Sequence, residues 1–414
     1  MQVSNKMPKR CINIDWLEVY CLESQPRDAQ YFASLGFDVQ MRDYGTRLYK
    51  EMFTLLWHGQ PFIEVRRCPS SCGSAAAAKF FDPRACHLRL CNRTCYFNDA
   101  GAIMARFIEE HKYVFMNIAK IDLAMDFERF DSGDVPAKFL ERYLKGRYSK
   151  VNQCTIAVHG KDNWDGRNYN SVSWGSKSSP IFTRFYDKTM ELKEGKDKPY
   201  IRQAWASCGL VDDFITLTKR DGDGQVYTPR IWRLEFSISS SVKRWVCFDV
   251  DTNGNKTHLS KPNTLEVYKS RDDLITMYAS LVRHYFHFKR FEEGQRKDRC
   301  EDKELFDFGN RDVYKVEKPA AAKAECKGLI ALKQRIENYR YLHFDDTIRK
   351  ACDVILTQID KEMLSKQASV PTDATEIELL RMLLSYNIKQ PDGSLKVFDK
   401  EVFRQMIAIE GEIF

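Results

Sequence analysis

The chain has 414 residues and no run of eighteen apolar ones, so no ordinary membrane-spanning helix is expected. Its start, Met1-Gln2-Val3-Ser4-Asn5-Lys6, leads into charge and not into an apolar segment. A secretory leader is therefore not expected, and the cytoplasm is the expected location. No internal repeat is visible, which removes solenoids and propellers. Paired cysteine knuckles are missing too. Thirteen cysteines are scattered along the chain, an odd number that suits no disulfide framework. Five of them, Cys68, Cys72, Cys86, Cys91 and Cys95, fall close together, with gaps of three, thirteen, four and three residues. A structural zinc site usually shows two tight C-x2-C-like pairs. These five read as reduced packing cysteines, with a metal site as the alternative.

What is present is a modest positive surplus. The net charge is +7 and the pI near 8.6. Such a surplus suits a plain solvated surface or, where it clusters, a phosphate-binding face. Clusters occur at Lys145-Gly146-Arg147-Tyr148-Ser149-Lys150 and at Lys289-Arg290 with Arg296-Lys297-Asp298-Arg299. Both are interleaved with aromatics, a combination that suits unpaired bases.

Periodicity divides the chain. Residues 1–65 read as strands and a connecting segment, 86–97 as strand, 100–112 and 135–144 as helices, and 113–127 as a strand between them. Further strands are expected near 152–159, 171–176, 181–187 and 229–238, then a helix over 264–291. The pattern is α+β, an antiparallel sheet with helices on one face. Residues 1–315 are expected to form this domain. A linker near Glu317-Lys318-Pro319 leads into a mainly helical module, 316–414, with helices near 328–341, 344–365 and 373–387; Asp373 and Glu376 form a capping-box-like start for the last.

Side chains on a strand alternate between faces. In Lys120-Ile121-Asp122-Leu123-Ala124-Met125-Asp126-Phe127, Asp122, Ala124 and Asp126 share one face and four apolar residues the other. Arg233, Glu235 and Ser237 likewise oppose Trp232, Leu234 and Phe236. Arg184, Tyr186 and Lys188 share a face of a third strand. Each pattern alone fits any half-exposed antiparallel sheet, and Arg233 or Arg184 could pair with the acids as simple salt bridges. If the three strands are neighbours, one surface gathers carboxylates, a phenol and cations. Those are the groups needed for metal-assisted phosphodiester transfer: carboxylates for a hard divalent ion, a tyrosine nucleophile, and cations against developing charge.

The ordered series Ile14-Asp15-Trp16-Leu17, Ile121-Asp122-Leu123-Ala124-Met125-Asp126, Trp174-Gly175-Ser176-Lys177-Ser178-Ser179, Arg184-Phe185-Tyr186-Asp187-Lys188 and Arg233-Leu234-Glu235-Phe236 resembles the Rep-trans type of rolling-circle replication initiation factor. The resemblance spans roughly residues 10–290. It implies a DNA strand-nicking and -joining transesterase with Tyr186 as nucleophile, leaving a 5′-phosphotyrosine and a free 3′-hydroxyl. It implies Mg²⁺ or Mn²⁺ on Asp122, Asp126 and Glu235, with Glu191 a weaker candidate ligand, and Arg184 and Lys188 beside the nucleophile. Tyr148 and Tyr200 are the next candidate nucleophiles. Implied partners are partly single-stranded origin DNA, a host helicase and a second copy of the chain, with no membrane. Many rolling-circle nucleases use a His-hydrophobic-His metal motif. None of the eight histidines here is so spaced, and His284 and His287 read as structural. A conjugative relaxase, a non-catalytic DNA-binding regulator on the same scaffold and a structural protein of a mobile element are the competing classes.

Overall fold

The computed structural model describes residues 9–367, apart from 47, 70–81, 152–153, 164–165, 196, 251–255, 292–299, 310, 312–313, 318–328 and scattered positions from 330 to 345. The described residues up to Glu317 form one compact unit and those from Leu329 onward another.

The first unit is built on strands. In chain order these are β1 (Arg10–Glu23), β2 (Asp38–Met41), β3 (Tyr49–Trp57), β4 (Gln60–Pro69), β5 (Ala85–Leu90), β6 (Tyr113–Phe127), β7 (Tyr148–Lys150), β8 (Ile156–Asn163), β9 (Gly166–Trp174) and β10 (Ile181–Asp187). They continue as β11 (Lys219–Arg220), β12 (Val226–Tyr227), β13 (Trp232–Ser239), β14 (Arg244–Val250), β15 (Lys256–Pro262), β16 (Phe288–Arg290), β17 (Asp302–Lys303) and β18 (Lys315–Val316). Ten make one antiparallel sheet in the order β2-β3-β4-β5-β1-β6-β13-β10-β9-β8. β7, β16 and β17 form a small sheet, as do β14, β15 and β18, while β11 and β12 pair alone.

The apolar face of the large sheet is the expected one. Ile121, Leu123, Met125 and Phe127 of β6, Phe185 of β10, and Trp232, Leu234 and Phe236 of β13 are all buried there. Helices Ala100–Glu110, Pro136–Leu144 and Arg271–Tyr285 cover them, contributing Phe107, Phe139 and Met277. A capping box from Ser270 to Asp273 starts the last helix, and the Tyr278 hydroxyl donates to the Leu234 carbonyl at 2.7 Å. These links tie the helix to the strand that carries Arg233 and Glu235.

Three expectations need correction. Strand character ends at Leu90, and Asn92–Cys95 is a helical turn. The 264–291 segment is a 3-10 turn, Leu265–Tyr268, then the helix, then β16, because Ser270 stops one element and caps the next. Helices also lie on both faces of the sheet. Helix Pro199–Ser207 packs on the polar face through Ile201 and Trp205, against Cys11 of β1 and Ile231.

In the second unit, helix Asp346–Gln367 places Ala351, Cys352, Ile355 and Ile359 against Leu329 and Ile336. The helix expected at 373–387 lies outside the described residues. The chain as far as Glu317 belongs to the sheet unit, since β18 pairs with β14 and the Glu317 amide donates to the Arg244 carbonyl.

Candidate active site

β6, β13 and β10 are consecutive in the sheet. Arg233 lies opposite Asp126 on one side and Tyr186 on the other; Glu235 lies opposite Ala124 and Arg184. Two cross-strand rows therefore carry Asp126, Arg233 and Tyr186, and Glu235 and Arg184, while Asp122 lies opposite Ser237 in a third. The small Ala124 leaves room beside Glu235. The turn before β10 sets the register: Gly175 adopts φ +88°, a conformation that favours glycine, and the Ser176 amide donates to Ser179 Oγ at 3.0 Å.

The fully buried Arg233 is the hub. Its Nε and Nη2 hold Asp126 side-on at 2.6 and 2.7 Å, Nη1 reaches Asp15 at 2.8 Å, and Nη2 also reaches the Tyr96 hydroxyl at 2.8 Å. Trp205 Nε1 donates to Asp126 at 2.7 Å. Tyr96 in turn donates to Asp15. Asp15 reaches this network because β1 has an irregular register between Ile14 and Trp16, which breaks the alternation. Burial by itself would raise the Asp15 carboxyl, but Arg233, Lys188 and Tyr96 outweigh it and hold it well below the usual range. Asp126 is thus buried, with both carboxyl oxygens paired, and no solvated face exists at this position.

Tyr186 of the first row reaches across to Glu235 of the second. The half-buried Tyr186 donates its hydroxyl to Glu235 Oε2 at 3.0 Å, and Arg184 holds Glu235 Oε1. Burial raises Glu235 above the ordinary glutamate value despite the neighbouring Arg184. Burial and the Glu235 carboxylate push the Tyr186 phenol well above its usual value, so it is protonated at rest. A carboxylate of raised basicity in contact with a phenol proton can accept that proton. Just past β10, the buried Lys188 sits 5.5 Å from the Tyr186 ring centroid and 2.6 Å from Glu191, which also accepts from Lys198 at 2.8 Å. Burial and Arg233 bring Lys188 down to about 8, against the opposing pull of Asp15 and Glu191.

The expected metal set does not converge. Both oxygens of Asp126 are held by Arg233, and one of them also by Trp205. Those of Glu235 are held by Arg184 and Tyr186. Asp122 is paired with Lys120 at 2.8 Å, and its Oδ1 is buried with no partner among the described residues. No group of three metal-ligating side chains is assembled among the described residues. The residues present therefore do not fit a three-carboxylate ion site.

Other expectations sort as follows. Cys86, Cys91 and Cys95 are free and buried, Cys68 is half-buried against Glu51, and Cys72 lies outside the described residues. Burial lowers His284 to about 4, and His287 contacts Asp302 at 3.1 Å. Of the two basic clusters, Lys289 and Arg290 are paired with the strand Tyr148–Lys150, Lys289 opposite Ser149 and Arg290 opposite Tyr148, while Arg296, Lys297 and Arg299 lie outside the described residues. Tyr148 does not face bases: it is buried, stacked on Phe139 at 5.4 Å. Sequence reasoning gave no role to Asp15, Tyr96, Lys198 or Trp205.

No protein-family model matches the chain, and no curated protein matches it. Among solved structures, it is similar to the rolling circle replication initiator protein from Geobacillus stearothermophilus, at 13% identity and a TM-score of 0.41, over 72% of this chain and 93% of that one. No helix among the described residues is long and apolar enough to cross a membrane.

Proposed function

We propose that the chain nicks one DNA strand by transesterification, as an initiator of rolling-circle replication. The observation that carries this is the Tyr186 hydroxyl donating to Glu235, flanked by Arg184 and Lys188. As the Tyr186 oxygen forms its bond to phosphorus, the phenol proton passes to Glu235. The bond from phosphorus to the 3′ oxygen breaks, and Lys188, set to release a proton near pH 8, protonates the departing 3′-hydroxyl. Arg184 lies where charge builds on the phosphoryl oxygens. The phosphotyrosine ester keeps the bond energy, so the reverse reaction rejoins the strand. A conjugative relaxase would run the same chemistry at a transfer origin. A non-catalytic DNA-binding protein is the second reading, favoured by the closed Arg233–Asp126 pair, which leaves Asp126 no free oxygen.

The test uses supercoiled DNA carrying the chain's own coding region and flanks, with and without Mg²⁺, followed by denaturing electrophoresis. Wild type should relax the DNA and leave a covalent adduct. Tyr186→Phe, which keeps the ring but lacks the attacking oxygen, should bind and give none. An adduct that survives in Tyr186→Phe overturns the assignment of the nucleophile. Binding without any adduct in wild type selects the non-catalytic reading.

A further inference from the structure

Beside this centre lies a cleft of about 500 Å³ that the chemistry above does not use. That volume is within the roughly 300–1,000 Å³ of ordinary small-molecule sites. Asn92 and Arg93 enter it from the helical turn Asn92–Cys95, Gln60 from the start of β4, and Lys198, Tyr200 and Gln203 from the start of helix Pro199–Ser207. Two chains of contacts join it to the reaction centre. The Tyr200 ring meets Tyr96 edge-on at 5.0 Å, and Tyr96 bonds to Arg233 and Asp15. Lys198 shares Glu191 with Lys188, which lies under the Tyr186 ring.

The lining has a specific chemistry. Three carboxamides each offer a donor pair and an acceptor, the groups that match the mixed edge of a base. A half-buried tyrosine offers a ring to stack on. Arg93 and Lys198 accompany them, Lys198 already paired with Glu191, together with the carboxylate of Asp197, itself paired with Arg202. A base in single-stranded DNA is flanked by phosphates, which suits Arg93; a neutral metabolite would leave Arg93 without a role, and a bare phosphate would leave the ring and amides without one.

We propose that this cleft takes one unpaired nucleobase of the nicked strand, next to the scissile phosphate, and so sets base preference there. Tyr200 stacks on the base, Asn92, Gln60 and Gln203 read its edge, and Arg93 meets the flanking phosphate. The position of this base relative to the nick rests on the nicking function; base binding itself does not.

The test is selection from a pool of randomised single-stranded oligonucleotides by the full chain, sequencing the bound and covalently attached fractions separately. Wild type should show a preference at a position adjoining the attachment point. The Asn92→Leu, Gln203→Leu double variant should flatten that position by roughly tenfold or more while leaving the other positions' preferences in place. Tyr200→Ala should weaken binding of a selected oligonucleotide by roughly tenfold, and Tyr200→Phe should restore it. An unchanged preference in the double variant overturns the proposal, as does a loss spread evenly over all positions. If wild type forms no adduct, the bound fraction still reads the cleft: a preference erased by the double variant upholds the base site while nicking fails.

Discussion

Asp126→Asn separates a structural anion from a metal ligand. Arg233 is fully buried, and Asp126 supplies two of its four short contacts, at 2.6 and 2.7 Å. Removing one partner of a buried ion pair typically costs about 3–5 kcal/mol. Two features place this site at the low end. Asparagine keeps one acceptor oxygen, for Trp205 or for Arg233, and Asp15 still faces the guanidinium at 2.8 Å. The expected loss is about 3 kcal/mol. In a domain of a few hundred residues each kcal/mol moves Tm by roughly 2–4 °C, so a fall of roughly 6–12 °C is expected. Calorimetric melts of the full chain measure it, with and without Mg²⁺. The double variant Asp126→Leu, Arg233→Met should recover only part of the loss: it removes the Arg233–Asp126 pair together, but Asp15 then keeps only Tyr96 and Lys188 as partners. An unchanged Tm in Asp126→Asn, with nicking restored by raised Mn²⁺, would refute this reasoning and make Asp126 a metal ligand.

Glu235→Gln should slow adduct formation by roughly 10²–10⁴-fold, since the phenol loses its proton acceptor. The base must be ionised and its carboxyl is raised by burial, so wild-type rates should fall on acidification sooner than an ordinary glutamate would dictate; a flat profile down to pH 5 contradicts this. Lys188→Met should abolish the adduct yet leave Tm at pH 7 unchanged or higher. The folded-state value of about 8 lies below the ordinary 10.5, so the burial cost, at most roughly 3 kcal/mol, is full below pH 8 and fades between 8 and 10.5; a clear drop in Tm at pH 7 counts against it. The Cys208 thiol, lowered by its neighbour Cys11, should alkylate at a lower pH than an ordinary thiol, and Cys11→Ala should move its midpoint up; equal rates in both proteins would dismiss the pairing.

The features legible in the sequence were those fixed by alternation along single strands. Asp122 with Asp126, Arg233 with Glu235, and Arg184 with Tyr186 each share a face because period two leaves no other choice. The apolar partners on the opposite faces, Leu123, Leu234 and Phe185 among them, are core for the same reason. The salt-bridge alternative is visible in the same pattern, and the structure pairs Arg233 with Asp126 and Arg184 with Glu235. What stayed hidden arises between elements. Asp15 reaches the network through an irregularity in β1, and no single-strand pattern displays one; the only local sign is that Asp15-Trp16 interrupts the spacing of Ile12, Ile14, Leu17 and Val19. Trp205 is a helical residue whose partner lies 79 positions away, and Tyr96 ends a turn that reads as strand. Such contacts depend on helix Pro199–Ser207 lying on the polar face, where the alternating pattern had suggested solvent. That helix also forms one wall of the cleft. The element that sequence periodicity could least place is therefore the one that both buries the Arg233 network and shapes the space beside Tyr186.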